Sequence, residues 1–261
     1  MSRFLAGLSA ALLLLCFWQG YVWLSGIEPY LLPGPVRVAT TLVDRFDLIL
    51  KHLGYTALEI VLGLLLGLVL GVASALAIHA SPMMRRVGLP LLVISQAVPV
   101  FALAPLLVLW LGYGLWSKVA MAVLIIFFPV TTAFLDGLRR TEPLWIDQAR
   151  IMLGPVRGFR ARWALMRHVR VPSALPALAS GLRVATGVAP IGAVVGEWVG
   201  SSAGLGYLML HANGRMQIDL LFAALFVLAA FAVLLWLAVD AVLRRALPWQ
   251  PDSFSSQSED S

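Results

Sequence analysis

The residues of this chain that could carry catalysis are a serine motif and two ionisable residues that follow it. The stretch GSSAG, residues 200–204, matches the G-x-S-x-G pattern of a nucleophilic serine, with His211 and Asp219 downstream. That pattern indicates a nucleophile only where it lies at a sharp strand-to-helix turn above an α/β sheet. Here it follows a long apolar segment with no strand pattern. We therefore expect no catalysis by Ser202 and predict no catalytic residue elsewhere.

Metal, cofactor and nucleotide chemistry are not expected either. The four histidines are scattered, and the single cysteine, Cys16, is far from them in sequence, so we predict no metal site. The chain has no G-x-x-x-x-G-K-[ST] phosphate loop, so it cannot bind ATP in that way, and we expect no bound cofactor.

The composition places the chain in a membrane. Of its 261 residues, 61% are hydrophobic and 12% charged, and the mean hydropathy of +0.91 lies outside the range of soluble domains. Apolar segments of about 20 residues are long enough to cross a bilayer as helices. The predicted spans are residues 4–24, 55–78, 89–111, 115–136, 174–199 and 219–243. We therefore expect an all-α, multi-pass membrane protein with six transmembrane helices.

The distribution of lysine and arginine predicts the orientation. With a cytoplasmic N-terminus, thirteen of the nineteen basic residues lie on the inner side, eight of them from Arg139 to Arg170. This predicts that both termini are cytoplasmic and accounts for the net charge of +6 without a nucleic-acid partner. The first span lacks a small-x-small cleavage site, so we expect it to be retained as an anchor.

Ionisable residues inside the predicted spans are candidates for function. A charge there costs roughly 2.5–3.5 kcal/mol on insertion scales, so each one needs a partner or a water-filled path. Glu59 and Glu197 are predicted near the outer ends of their spans, where they could line an external mouth. Glu197 could instead cap a helix. Arg183 is expected either to snorkel to the interface or to pair with an acid such as Asp136 or Asp240.

The third predicted span contains two prolines, Pro99 and Pro105, each of which removes a backbone hydrogen bond and bends a helix. Gln96 lies three residues before the first of them. A polar amide beside a bend suits a translocation pathway, and it equally suits a hydrogen bond to a neighbouring helix.

Two further patterns concern helix packing. In the second span, Gly63, Gly67 and Gly71 form a repeated small-xxx-small pattern, which predicts close approach of another helix. Before that span, the stretch VRVATTLVDRFDLIL, residues 36–50, predicts an interfacial helix.

The long cytoplasmic loop, residues 137–172, is predicted to begin with an amphipathic helix. Thr141 can cap it, Pro143 fits its first turn, and Gly154 with Pro155 ends it. Its predicted apolar face consists of Trp145, Ala149 and Met152. The residues predicted to lie off that face are Asp147, Gln148 and Arg150.

A second amphipathic helix is predicted from Phe159 to Arg170, after which Val171, Pro172 and Pro176 lead into the fifth span. Its predicted apolar stripe consists of Phe159, Trp163 and Met166. Two short helices with apolar stripes have little of their own to bury against, so they need a protein partner or the membrane surface.

This loop resembles that of the permease subunits of binding-protein-dependent ABC importers, in the six-span subgroup that includes sulfonate, taurine and nitrate permeases. The signature of that family is E-A-A, three residues, G, nine residues, I-x-x-L-P, and it forms coupling helices that sit in a cleft of the ATPase. DQARIMLG, residues 147–154, looks like the first half, and HVRVPSALP, residues 168–176, looks like the second. Gly154 comes one residue late and Gly158 restores the second spacing, which indicates a short insertion around residues 155–158.

The resemblance covers roughly residues 31–240. PVFALAPLLVLWLGYGLWSK resembles the third-span signature of the subgroup, and GLRVATGVAPIGAVVGEWVGSSAGLGYLM resembles its fifth-span signature, which ends in an acidic residue and G-L-G. SQAVPVFALAPL, IIFFPVTTAF and NGRMQIDLLFAALFVL look most like permeases assigned to hydroxymethylpyrimidine, a thiamine precursor.

The resemblance implies a type I ABC importer permease fold in the bacterial inner membrane. It implies a cytoplasmic ABC ATPase subunit and an external solute-binding protein as partners, and a homodimer surrounded by membrane lipids. The chain then divides into a first anchor (residues 1–30), a permease core (31–243) and a basic end with a disordered tail (244–261).

The resemblance and the residue types together predict two sets of site residues. The expected ATPase-docking residues are Leu144, Trp145, Asp147, Ala149, Gly154, Phe159 and Trp163. The expected pathway residues are Glu59, Gln96, Pro99, Tyr113, Glu197 and Trp198. Their acceptors and aromatic rings suit a pyrimidine with an amine and a hydroxymethyl group better than an anion. A sulfonate, taurine or nitrate importer and an ATP-independent transporter or channel stay open as alternatives.

Overall fold

The structure is a computed structural model that describes residues 2–153 and 158–249, apart from the side chains of residues 2–8 and 11. Over these residues the chain is helical and has no strand, which confirms the all-α prediction. The elements in chain order are α1 (Ser2–Ser25), α2 (Pro35–Asp44), α3 (Phe46–Ala80), α4 (Pro82–Ala97), α5 (Val100–Leu111), α6 (Leu115–Arg139), α7 (Pro143–Leu153), α8 (Phe159–Leu165), a π-helical turn (Met166–Arg170), α9 (Val171–Gly200), α10 (Leu205–Gly214) and α11 (Ile218–Ala246).

Four helices of the described chain are long and apolar enough to cross a membrane. They are α3, α6, the run Phe159–Gly200 that ends with α9, and α11. Helices α4 and α5 pass the same test together, as one bent span. The first predicted span falls on α1, where Leu12–Ser25 forms a shorter apolar helix. The sixth crossing and the orientation with both termini inside therefore stay predictions.

The third predicted span is a bent pair and not one helix. The axes of α4 and α5 meet at 100°. Val98 is extended, as a residue before proline prefers, and Pro99, which has no N–H to leave unpaired, caps α5. Pro105 lies inside α5 without ending it, and the bend predicted there stays a prediction. A proline suits the helical φ angle, and the loss of one hydrogen bond is tolerated in a packed membrane helix.

The second cytoplasmic helix is also different from its prediction. The sequence predicted a helix ending at Arg170, but α8, the π-helical turn and α9 form one run of 42 residues. The wider π-helical turn directly precedes Pro172, which lies in the first turn of α9 and has no N–H to donate. The Ser173 hydroxyl donates to the carbonyl of Val169 (2.7 Å). This part of the predicted loop is thereby joined without a hinge loop to the fifth predicted span.

The predicted interfacial helix is divided between two elements. Helix α2 ends at Asp44, and Arg45, with φ −113° and ψ 20°, separates it from α3. Residues from Phe46 onward therefore extend the second predicted span, since they continue its helical path.

Helix α6 lies between α3 and α9 at distances that only small residues permit. On α3, a Cβ added at Gly63 would lie 2.5 Å from the Cβ of Ala122, and one at Gly67 would lie 2.5 Å from Cγ2 of Ile126. On α9, a Cβ added at Gly192 would lie 2.7 Å from the Cα of Ala122. The close packing predicted for the glycines of α3 is confirmed, and α9 presents a second close approach. Lipid tails are as apolar as leucine, so this packing depends on van der Waals contact.

Two glycines of the same helix provide a test of this packing. We expect Gly192→Ala to lower the melting temperature of the purified protein in detergent, because the new methyl group would overlap the backbone of Ala122. Overpacking of this kind costs about 1–3 kcal/mol. Gly187→Ala is the control, since no atom lies within 4 Å of its added Cβ and the gain in helix propensity is the same. Equal melting temperatures for the two variants would contradict the close approach.

Candidate coupling surface and polar core

Helix α7 presents much of its side-chain surface to solvent. It begins at Pro143, and the carbonyl of Glu142 accepts the N–H groups of Trp145 (3.2 Å) and Ile146 (3.4 Å). Thr141 does not cap α7 as predicted, because its buried hydroxyl donates instead to the carbonyl of Leu138 at the end of α6 (3.3 Å). The threonine therefore ties the loop to a membrane helix, and α7 projects from that point.

The apolar face of α7 borders an open groove of about 550 Å³ against the base of α9. From α7 the groove is lined by Trp145, Gln148, Ala149 and Met152. The opposite wall consists of His168, Val169, Pro172, Ser173, Pro176 and Trp249. Trp145, Ala149 and Met152 share a face, as predicted, but the placement of Gln148 off that face was wrong, since its i+3 position after Trp145 brings it to the same side.

Four more of the predicted docking residues are exposed: Leu144, Asp147, Phe159 and Trp163. Leu144 and Asp147 lie on the solvent side of α7, where Asp147 pairs with Arg150 (3.1 Å) in an exposed ion pair of little energetic weight. On α8, Phe159 and Trp163 are exposed, whereas Met166 packs inward against the cluster around Leu138 and Ala174. We call the exposed apolar residues of α7 and α8 the coupling surface: Leu144, Trp145, Ile151, Met152, Phe159 and Trp163.

The structure describes one of the two glycines, Gly154 and Gly158, that the motif spacing pointed to. Gly158 precedes α8 with φ +76°, a left-handed conformation that glycine adopts without strain. Gly154 lies outside the described residues. Gly158 is therefore a turn glycine, and its conformation agrees with the spacing that the sequence indicated for the second half of the motif.

The two membrane carboxyls, Glu59 and Glu197, lie deep inside the helix bundle. Glu59 is 2% exposed and forms an ion pair with Lys118 of α6 (3.4 Å). Glu197 is 1% exposed and accepts hydrogen bonds from the backbone N–H groups of Gly206 and Tyr207 (3.2 Å to the latter) at the start of α10. The capping interpretation of Glu197 therefore agrees with the structure. The role of either residue in a pathway stays a prediction.

The start of α10 is capped by three side chains from two other helices. Besides the two N–H groups held by Glu197, the N–H of Gly204 donates to Nδ1 of His52 (3.0 Å) and that of Leu205 donates to Oγ1 of Thr56 (2.7 Å). The Thr56 hydroxyl in turn donates to Glu197 (2.6 Å). All four backbone donors from residue 204 to 207 are thus satisfied, as the first N–H groups of a buried helix end require.

The G-L-G motif has a physical explanation in this cap. Gly204 has φ +110°, which disfavours any residue with a side chain, and an added Cβ would overlap the carboxyl group of Glu197. A Cβ added at Gly206 would lie 2.8 Å from Oε2 of Glu197. The two glycines therefore leave the space in which the carboxylate reaches the backbone.

Sequence reasoning missed three members of this group, His52, Thr56 and Lys118. The first two precede Glu59 at helical spacing, so a polar stripe at positions i, i+4 and i+7 of an apolar span was the available signal. Lys118 lies near the start of the fourth predicted span, and only the fold brings it to Glu59. We call these five residues the capping cluster: His52, Thr56, Glu59, Lys118 and Glu197.

The other predicted pathway residues lie apart from the capping cluster. Gln96 and Pro99 are exposed at the junction of α4 and α5. Tyr113 and Trp198 are exposed near the C-terminal end of α9, where a Cβ added at Gly200 would lie 3.4 Å from the Tyr113 ring. The described chain thus presents an amide and two aromatic groups on exposed faces.

The structure gives partners for Arg183 and for the two residues downstream of the serine motif, His211 and Asp219. Arg183 forms an ion pair with Asp240 (2.7 Å), one of the two arrangements expected for it, and Arg244 binds the second oxygen of the same carboxylate (2.7 Å). Asp219 accepts from Thr41 (2.9 Å), and Nδ1 of His211 bonds the carbonyl of Tyr207 (3.1 Å). These contacts do not assemble a triad with Ser202.

Comparison with known proteins decides the family. Residues 63–249 match the family described as "Binding-protein-dependent transport system inner membrane component". The chain belongs to that family. This permease is thus a multi-pass inner-membrane component of an ABC importer, and membership implies a separate ATPase subunit and a solute-binding protein as partners.

Three relatives show how far the similarity extends. A probable ABC transporter permease of Haemophilus influenzae is 52% identical over 89% of this chain and 92% of its own length. A formylaminopyrimidine transport permease of Halalkalibacterium halodurans is 38% identical over 92% and 93%. A riboflavin transport system permease of Chloroflexus aurantiacus is 36% identical over 92% and 88%. The permease resembles each of them along nearly its whole length.

The capping cluster yields a stability prediction. We expect Glu197→Ala to lower the melting temperature strongly, because two backbone donors and the Thr56 hydroxyl would lose their buried acceptor. Each unsatisfied group costs about 1–3 kcal/mol. Glu28→Ala, at an exposed carboxyl, is the control and should melt like the wild type. If the two variants were equally stable, Glu197 would not hold α10.

Proposed function

We propose that this permease translocates hydroxymethylpyrimidine or a related thiamine precursor, received from an external binding protein. The observation that carries the proposal is its similarity over 92% of the chain to a formylaminopyrimidine permease. The riboflavin permease among its relatives also has a nitrogen heterocycle as its named cargo. A ligand of this class is neutral, flat and rich in hydrogen-bonding groups.

The available side chains support a neutral heterocycle. Glu59 and Glu197 are engaged with Lys118 and α10, so in this conformation the groups open to a ligand are Gln96, Tyr113 and Trp198. An amide pairs with ring nitrogens and amines, and aromatic faces stack on a pyrimidine. The residues thus favour stacking and hydrogen bonding over anion binding.

A sulfonate, taurine or nitrate substrate is the alternative. A taurine transport permease of Escherichia coli, 31% identical over 90% of this chain, supports it. An anion would need a free cation or a helix N-terminus on its path. Lys118 is paired with Glu59 and the start of α10 is capped, so these two groups are not open to an anion in this conformation.

The pathway itself is proposed to form between two copies of the chain. The exposed Gln96, Tyr113 and Trp198 lie at faces that one copy leaves open. A second copy would cover these residues, and the two copies together would enclose a path that one helix bundle of this size does not enclose.

We propose that an ATPase docked on the coupling surface supplies the energy for transport. Trp145, Met152 and Phe159 are large apolar side chains exposed on short helices beside basic residues, which suits the cleft of a protein partner. Asp147 and Ala149 lie within the same helix, and Gly154 falls outside the described residues. An ATP-independent transporter or channel would have no use for such a surface, and it would copurify without a nucleotide-binding subunit.

Transport by the reconstituted complex tests the substrate. We expect proteoliposomes that contain the permease, its ATPase and its binding protein to accumulate labelled hydroxymethylpyrimidine only when ATP is present. Excess taurine should leave this uptake unchanged, since the open groups of the pathway do not favour an anion. Accumulation of taurine without uptake of pyrimidine would refute the proposed substrate and retain the permease function.

A charge on the coupling surface tests the docking. We expect Trp145→Glu to abolish ATP-driven uptake and copurification of the ATPase, because a carboxylate would be buried in an apolar contact. Membrane insertion of this variant should stay intact. Tyr30→Glu is the matched control, since Tyr30 is 49% exposed and Trp145 50%, but Tyr30 lies between α1 and α2. Normal ATPase binding by the Trp145 variant would exclude α7 from the contact.

A further inference from the structure

Four basic residues lie at the end of the helices opposite the capping cluster. His79, at the last turn of α3, bonds through Nε2 to an Nη of Arg170 in the π-helical turn. Arg85 lies in the first turns of α4 and Arg139 in the last turn of α6, and the residues next to His79 and Arg139, Ile78 and Leu138, pack in one buried cluster. In residues 2–153 and 158–249, no ion pair to an acid involves Arg85, Arg139 or Arg170. We call these four residues the basic cluster.

Two nitrogen atoms of the basic cluster lack a partner. Nδ1 of His79 and Nε of Arg170 are buried and have no hydrogen-bond acceptor among the described residues. An arginine guanidinium offers only donors, and the bond between His79 and Arg170 joins two basic groups. Buried donors without acceptors are rare and costly, so the arrangement needs an anionic acceptor that the protein does not supply.

An apolar groove of about 370 Å³ adjoins the basic cluster, within the range of ligand clefts of ~300–1,000 Å³. It runs between α3, α4 and α6. The groove is lined by Ser74, Ala77, Ile78, Met84, Gly88, Leu91, Leu92, Ser95 and Phe127. Ile78 directly precedes His79 on α3, and Met84 directly precedes Arg85 on α4, so two lining residues of the groove are chain neighbours of the basic cluster.

We propose that this groove and the basic cluster together bind an anionic phospholipid. The phosphate of the headgroup is held by Arg85, Arg139 and Arg170, and one acyl chain lies in the groove. A phospholipid fits both the basic cluster and the groove, because it joins an anionic headgroup to an apolar acyl chain. In a bilayer this headgroup lies at the level of the ends of membrane helices. If both termini are cytoplasmic, as predicted, the lipid belongs to the inner leaflet, where anionic lipids attract such residues.

The site has a structural consequence for the permease. The phosphate bridges α4, α6 and the π-helical turn that joins α8 to α9, three elements whose basic residues would otherwise repel each other. The lipid thus neutralises the junction between the coupling surface and the membrane helices. The inference is independent of the transported substrate.

Native mass spectrometry of the full-length permease tests the proposal. The probes are phosphatidylglycerol and phosphatidylcholine with identical acyl chains. We expect the wild type to retain phosphatidylglycerol in preference to phosphatidylcholine. The double variant Arg85→Gln with Arg139→Gln should lower that retention about tenfold or more, because each arginine near a membrane surface contributes about 1 kcal/mol. Both residues are exposed, so their replacement should not impair folding.

The neighbouring arginines provide the matched control. Arg86→Gln with Arg140→Gln removes the same charge from the adjacent exposed positions and should retain phosphatidylglycerol like the wild type. An equal loss in both double variants, or no preference between the two lipids, would overturn the site. Displacement of phosphatidylglycerol by inorganic phosphate would show that free phosphate is the ligand and would overturn the assignment to a lipid.

Discussion

The close approach of α6 to both α3 and α9 is the constraint on which the rest of this permease depends. In a membrane the hydrophobic effect does not draw helices together, so association needs van der Waals contact over long, smooth faces. Gly63 on one side and Gly192 on the other bring the backbones of α3 and α9 within reach of Ala122, and Gly67 of α3 lies against Ile126 further along α6. Only at this separation can Lys118 of α6 reach Glu59 of α3.

The capping cluster follows from that packing and extends it to α10. The first N–H groups of a helix have no acceptor within that helix, and at α10 the side chains of His52, Thr56 and Glu197 accept all four from residue 204 to 207. Glu197 lies near the C-terminal end of the run Phe159–Gly200, whose first residues belong to the coupling surface. With an ATPase docked as proposed, its movement would act on the same continuous helix that holds α10, because no loop interrupts that path.

Particular elements show what sequence patterns predict well. Apolar length located α3, α6, α9 and α11, and the small-xxx-small spacing identified the contact face of α3, because these signals are local and repeat with the helix. The bend at Pro99 was predicted from the proline, but its angle of 100° was not. Whether a proline bends a helix depends on the neighbours that take up the freed carbonyl, and those are not local. The continuity of α8 with α9 was missed for the same reason.

The sequence by itself determined the class of the protein, the approximate spans and the family, since composition, apolar length and ordered motifs are properties of the chain alone. It also marked Glu59 and Glu197 as exceptional, because a charge in a membrane segment always needs an explanation. Which partner each carboxyl has was decided by the tertiary structure. Lys118 is 59 positions from Glu59 in the numbering, and the α10 backbone reaches Glu197 only because Gly204 turns the chain back with φ +110°. Partners across helices depend on packing distances, which a linear pattern does not contain.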